Sequence, residues 1–329
     1  MRIADLKGKV DKDVEITVYL QSTSECKNKF GNEWVDLVVS DVTGTTTFKM
    51  WAEAMAKQKV HPTAYIGTVV KVIGKVDFWQ NRAGINVSDI KPAEEGEYSL
   101  FDIFPSLAEE ERTVLADRYL ELLGKMSETP LKTLVMSFFT EKRLMKMTCM
   151  HGGTDHHRYF GGLLLHAIET AEIAVAEAER YMRTKRPYEE RVDLDLVIAG
   201  ALFHDVGKLT TLSDSPDGKL SDRGFLVDTA TESVLVVTSL NSIIETEKRV
   251  TDLAMLDHCI LMAPSYKEDA RPRTMEALIV RNANFASIQM DAYSLAFHND
   301  KKKRDGGKIA YSATLGNYMV RGGMTDGNK

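Results

Sequence analysis

The chain has 329 residues, 43% hydrophobic and 27% charged, with a net charge of −6. That is apolar enough for two buried cores, and it excludes a disordered chain, a collagen-like repeat and a small disulfide scaffold. No run approaches the roughly eighteen apolar residues of a membrane span, and the start, MRIADLKGKVDKD, lacks the apolar core of a signal peptide. The three cysteines, Cys26, Cys149 and Cys259, are far apart with no C-x-x-C pairing, so a cytoplasmic protein with reduced thiols and no membrane partner is expected.

The first ninety residues have the pattern of strands. Segments 14–20, 33–41, 45–51, 68–79 and 84–90 are rich in β-branched and aromatic residues and bounded by Gly, Asn or Asp. Val35, Leu37 and Val39 alternate with Trp34, Asp36 and Val38, the period of a strand with one buried face. A short helix is predicted at 52–58. Five strands with a helix after the third fit a small closed barrel of the OB type. A polar stretch at 92–98 serves as a linker, and the period then becomes helical. Leu131, Leu134, Val135, Phe138 and Phe139 form one stripe, with further helices near 107–123, 161–182, 193–204, 230–247, 251–262 and 273–298. The segment 213–224 is a loop, and the Met-rich 143–150 is core packing.

The predicted fold class is therefore multi-domain α and β, an OB-type barrel followed by an all-α bundle. The divisions are 1–95 for the barrel, 96–150 for a helical linker region packed on the main helical domain, 151–300 for that domain, and 301–329 for a basic, Gly-rich tail. Charge follows the same divisions. Residues 1–95 carry 13 basic and 13 acidic groups, residues 96–298 carry 22 and 32, and residues 299–329 carry 7 and 3. An acidic body favours solubility, and the basic tail is expected to be a solvated end.

Chemistry concentrates in two segments. LDLVIAGALFHDVGKL at 194–209 is an apolar helix that runs into His204 and Asp205, with Gly207 and Lys208 immediately after. Imidazole and carboxylate together suit a divalent transition metal; the plain alternative is a helix cap with a surface lysine. Upstream, HGGTDHHRYFGGLLLHAIETAEIA at 151–174 places His166 on a helix with apolar Leu163, Ala167, Ala171 and Ala174. Alone, such a histidine is a core residue; paired with His204 and Asp205 it becomes a candidate ligand. Gly161 and Gly162 would admit a second backbone close to that helix start.

H-H-x-Y-x-G-G-L-L-x-H at 156–166 followed by H-D-V-G-K at 204–208 resembles the HD-domain metal-dependent phosphohydrolases. With an OB-type barrel in front, about residues 1–298 are similar to the YhaM-type 3′–5′ exoribonucleases. The resemblance implies an HD fold that removes nucleotides from a 3′ end with a divalent metal, Mn²⁺ favoured over Mg²⁺, Co²⁺ or another transition metal. It implies His166, His204 and Asp205 as ligands, with Asp205 and Lys208 as the catalytic pair and Lys208 available to a phosphate. His258 fits the first of the family's later histidines, whereas Ala263 and Pro264 replace the next two. Asn284 falls where a ligand aspartate is expected, and Ser287 replaces a second acid; Asp291 and His151 are the candidate substitutes. Two histidines and one carboxylate remain a sufficient catalytic set for one metal.

For the barrel, the loop 22–33 offers Lys27, Lys29 and Phe30, the loop 79–83 offers Trp79 and Arg82, and Trp34 and Trp51 are candidates on the strand face. Aromatic groups that stack on bases, with cations for phosphates, suit single-stranded RNA or DNA. The plain alternative is core aromatics and ordinary loop lysines, and the barrel's zero net charge argues against tight unassisted binding. The function expected is metal-dependent 3′–5′ exonuclease action on single strands. The alternatives are an inactive HD protein acting as a nucleic-acid-binding or assembly factor, and a nucleotide phosphohydrolase. Association into a homo-oligomer is left open.

Overall fold

The computed structural model describes residues 1–79, 82–94, 96–153, 156–184, 187, 191–213, 218–264, 271–300, 309–313 and 315–320. Two compact units divide it, Met1–Ser106 and Leu107–Lys329. None of the described helices is long and apolar enough to cross a membrane.

The first unit is a closed barrel of β1 (Asp13–Lys27), β2 (Glu33–Asp41), β3 (Gly44–Trp51), β4 (Val69–Trp79) and β5 (Arg82–Pro92) in the order β1-β2-β3-β5-β4. β1 pairs with both β2 and β4, so one strand closes the cylinder and no long edge remains. The two-residue alternation decides what is inside. Ile16, Val18 and Leu20 of β1, Val35, Leu37 and Val39 of β2, and Phe48 and Met50 of β3 fill the core. Each such side chain contributes about 1.5–3 kcal/mol by leaving water. Leu6, on a helical turn at Ile3–Lys9, packs into the same core, and α1 (Ala52–Met55) follows β3.

Two differences from the sequence expectation stand out here. β1 continues to Lys27 past an irregularity between Leu20 and Ser22, so most of the expected loop 22–33 is strand and the turn is confined to Asn28–Asn32. Residues 96–106 join the barrel's compact unit. α2 (Leu100–Ile103) buries Ile103, Phe104 packs its ring 4.9 Å from that of Tyr19, and Lys71 pairs with Glu97 at 2.6 Å.

The second unit is helical: α3 (Glu109–Lys125), α4 (Pro130–Phe138), α5 (Glu141–Thr148), α6 (Gly162–Arg183), α7 (Leu194–Phe203), α8 (Lys208–Thr211), α9 (Asp222–Leu226), α10 (Thr229–Ile243), α11 (Ala254–Met262) and α12 (Met275–Asp300). Its axis is α7. Every residue from Leu196 to Phe203 is buried, and α4, α6, α11 and α12 surround it, which is what an all-round apolar helix requires. The Met-rich 143–150 segment is largely α5, where Met147 is buried and Met145 exposed. β6 (Ile309–Ser312) pairs antiparallel with β7 (Asn317–Val320) within the expected solvated end. Ala310 packs against Ala296 and Phe297, and the Tyr293 hydroxyl donates to the Val320 carbonyl at 2.6 Å. The basic run at 301–308 and residues 321–329 lie outside the described residues, as do 214–217 of the predicted loop.

Candidate metal centre

α7 begins at Asp193, whose carboxylate caps the Leu196 N–H at 3.1 Å, and ends with His204 at its C-terminus. Asp205 to Gly207 then turn into α8. A Cβ at Gly207 would lie 2.3 Å from the Thr229 carbonyl oxygen, so only glycine lets this turn touch α10. Ser233 on α10 fastens it, its Oγ accepting the Gly207 N–H at 2.8 Å and lying 3.1 Å from the His204 carbonyl. The H-D-V-G-K motif is thus a buried turn with fixed exits for its side chains.

His166, on the second turn of α6, meets them. Its Nε2 lies 3.1 Å from His204 Nε2 and 3.5 Å from Asp205 Oδ2, and His204 Nε2 lies 3.4 Å from the same oxygen. The ligand atoms of His166, His204 and Asp205 all fall within 4.8 Å of one another. Lys208 Nζ donates to Asp205 Oδ2 at 2.5 Å and to the Gly152 carbonyl. Both histidines are buried.

The hydrogen bonds behind the two rings fix their tautomers. His204 Nδ1 lies 2.6 Å from the Ala201 carbonyl, which can only accept, so Nδ1 carries a proton and Nε2 is the nitrogen whose lone pair can serve a metal. Ser287 donates its hydroxyl to Glu169 Oε2 at 3.2 Å and therefore accepts from His166 Nδ1 at 3.1 Å. His166 also presents Nε2 as a lone pair. Two lone pairs and a carboxylate facing one point repel unless a cation lies between them, and imidazoles oriented through their distal N–H are the usual metal-ligand arrangement. Burial, then neighbouring His156 and His204, hold the His166 pKa well below its ordinary 6.5, so the ring is neutral and able to ligate. Burial alone would raise the Asp205 carboxyl, but the Lys208 ammonium beside it outweighs burial and holds its pKa well below the ordinary 3.8. The donor set therefore fits a divalent transition metal.

Asn284 is buried on α12, one turn before Ser287. Its Nδ2 donates to the Ala263 carbonyl at 2.8 Å, while its Oδ1 has no hydrogen-bond partner among the described residues. His258 is not brought to this centre. It lies outside both clusters of potential ligands found among the described residues, because its Nε2 accepts the Arg273 backbone N–H at 2.9 Å. Asp291 Oδ2 accepts the His157 N–H at 2.5 Å and its Oδ1 the Tyr159 hydroxyl at 3.3 Å, so it holds the loop ahead of α6. His151 packs its ring 5.1 Å from Phe160.

Sequence reasoning missed Glu169, His156 and His157 as parts of the site. His157 Nε2 reaches Glu169 Oε2 at 3.2 Å, and the rings of His156 and His157 each lie 4.8 Å from that of His166. The signal was present. Glu169 follows His166 by three residues, on the same helical face, and the histidine pair stands inside the quoted motif.

On the barrel, Trp34 of β2 and Trp51 of β3 pair across the strands with ring centroids 5.5 Å apart, and Lys49 Nζ lies 5.1 Å from the Trp34 ring. In the β1–β2 turn Phe30 is 78% exposed with Lys29 Nζ 5.1 Å from its ring, while Lys27 is paired with Glu33 at 2.8 Å. Arg82 begins β5 and lines a groove of about 270 Å³ with Asp36, Lys49, Asp77 and Asn86. Trp79 ends β4, and its side chain lies outside the described residues.

Residues 163–284 match the family described as HD domain. The chain is similar to the 3′–5′ exoribonuclease YhaM of Bacillus subtilis (strain 168), 23% identical over 264 residues that cover 80% of each chain. It is also similar to that of Bacillus pumilus (strain SAFR-032), 21% identical over 77% of this chain and 76% of that protein. Among solved structures, a domain of replication protein A from Methanococcus maripaludis aligns with 29% of this chain and 94% of its own, at 21% identity and a TM-score of 0.23. The chain is thus similar over about four-fifths of its length to YhaM 3′–5′ exoribonucleases, with the HD-domain match in its helical unit and a closed five-stranded OB-type barrel ahead of it in sequence.

Proposed function

We propose that this protein is a metal-dependent phosphodiester hydrolase that shortens single-stranded RNA or DNA from its 3′ end. The observation that carries the reading is the convergence of two oriented Nε2 lone pairs, from His166 and His204, on the Asp205 carboxylate. These three residues hold the metal, and the unpartnered Asn284 Oδ1 offers a neutral fourth oxygen. When bound, a divalent cation such as Mn²⁺ polarises a phosphoryl oxygen and acidifies water for attack. Lys208 stands beside Asp205, where its Nζ meets a phosphate oxygen as charge develops on phosphorus. Glu169 and Ser287 keep the proton of His166 on Nδ1, and Ala201 does the same for His204. The Trp34–Trp51 pair, Phe30, Lys29 and Arg82 form the strand-binding surface, with bases stacking and cations meeting phosphates. The three free cysteines suit the reducing cytoplasm.

The similarity to the YhaM exoribonucleases over four-fifths of the chain supports the 3′-end polarity. A second reading, a strand-binding protein without turnover, draws on His258 being held by a backbone N–H and on the buried Ala263. One assay separates the two. With 5′-labelled single strands and Mn²⁺, the protein is expected to produce a ladder of products shortened at the 3′ end, abolished by His204→Ala or by chelator. Strands that stay bound yet intact with Mn²⁺ present would overturn the hydrolase reading.

A further inference from the structure

The loop before α6 carries a third imidazole whose free lone pair can be assigned by the same reasoning. Glu169 Oε2 is a carboxylate oxygen, so the 3.2 Å contact requires a proton on His157 Nε2 and leaves His157 Nδ1 as an acceptor. That Nδ1 faces His156 Nδ1 at 3.1 Å, so His156 donates from Nδ1 and its Nε2 becomes a lone pair. One glutamate thus sets the free atoms of both His166, through Ser287, and His156, through His157.

The backbone is shaped to hold this pair. His157 adopts φ +48°, a conformation uncommon for a side-chain-bearing residue. Two glycines clamp it: a Cβ at Gly152 would lie 2.4 Å from His157 Cβ, and one at Gly162 would lie 2.1 Å from the His157 carbonyl oxygen. Asp291 then ties the His157 N–H to α12. Strain of this kind persists where the surroundings over-determine it, which characterises sites rather than loops.

We propose that His156 Nε2 is a further ligand to the cation held by His166, His204 and Asp205, with His157 as its positioning residue; this rests on the metal reading given above. His166 has one lone pair and so serves one ion. Ligand atoms of His156, His157 and His166 lie within 4.8 Å of one another, as do those of His166, His204 and Asp205, so His166 joins the two clusters; donors around one ion with ~2.1 Å bonds are at most about 4.2 Å apart, so His156 closes on the cation by moving toward it.

Co²⁺ titration, followed by equilibrium dialysis and the visible ligand-field spectrum, tests this without reference to activity. The wild type is expected to bind one ion. His156→Ala and His156→Phe, the latter keeping a ring of similar size, should weaken retention at least about tenfold and change the spectrum. His258→Ala should leave both unchanged. Far-ultraviolet circular dichroism and melting in chelator show that the variants remain folded. Wild-type retention and spectrum in both His156 variants would overturn this inference alone, as would a second bound ion lost only when His156 is changed. A wild type that takes up no Co²⁺ would overturn the metal reading and this inference together.

Discussion

Ser287→Ala isolates the relay from Glu169 to His166. The side chain is fully buried and small, so the substitution removes one hydroxyl and leaves a small void. In the wild type that hydroxyl accepts from His166 Nδ1 at 3.1 Å and donates to Glu169 at 3.2 Å. Leaving a buried N–H without an acceptor costs about 1–3 kcal/mol. The metal-free variant has an escape. His166 can move its proton to Nε2 and donate to the His204 Nε2 lone pair 3.1 Å away, so the fold without metal loses little. That escape occupies both nitrogens the metal needs. Metal affinity should therefore fall about 10–100-fold, or about 1.4–2.8 kcal/mol, while melting in chelator changes by far less. Equilibrium dialysis with Mn²⁺ gives the first quantity, and thermal melts with and without Mn²⁺ give both. Unchanged Mn²⁺ affinity, or equal loss of stability with and without the ion, would refute the tautomer argument.

Two other predictions concern the fold around the site. Arg223 pairs with the buried Glu232 at 2.6 Å, and this pairing, offset in part by burial, lowers the Glu232 pKa below 4.5. Such a carboxylate contributes stability above its unfolded pKa and loses it as pH falls through the folded value. Arg223→Ala should lower the urea midpoint at pH 7, with the difference shrinking below about pH 4; an equal loss at both pH values would show that the pair acts through packing alone. Among the thiols, Cys149 is exposed, whereas Cys259 is buried and its pKa is pushed up to about 12 by desolvation, then by Glu276 and Asp193. Ellman's reagent should label Cys149 in the native protein and Cys259 only after unfolding, and prompt native labelling of Cys259 would contradict the described packing of α11.

The barrel was legible because strands such as β2 alternate in burial along their length. Val35, Leu37 and Val39 face in and their neighbours face out, and no other period suits that segment. α7 was legible for the opposite reason, an uninterrupted apolar run with a capping aspartate before it. The continuation of β1 was not. Residues 22–27 are polar or small, and what makes them strand is pairing with β2, Thr23 opposite Leu37 and Cys26 opposite Trp34, a partnership that no local pattern announces. The terminal hairpin was obscured by its basic, glycine-rich flanks, although Ala310 and Ser312 alternate inward as a strand requires.

The site shows the same division between what neighbours along the chain reveal and what only folding assembles. His166, His204 and Asp205 could be picked out because His166 stands on one apolar helix and His204 and Asp205 directly follow another. Their tautomers could not, because the groups that set them include an alanine carbonyl and a serine 121 residues away, which only the fold brings to the rings. A histidine in a sequence is only a ring; which of its nitrogens is open to a metal depends on what accepts the proton of the other. His258 makes the point in reverse. The sequence resemblance led to the expectation of a ligand there, yet the backbone N–H of Arg273 occupies its Nε2, and the ring is thereby turned to a structural task. The donors that matter for chemistry are those whose distal proton has somewhere to go, and in this chain Glu169, through Ser287 and His157, supplies that destination for two of them.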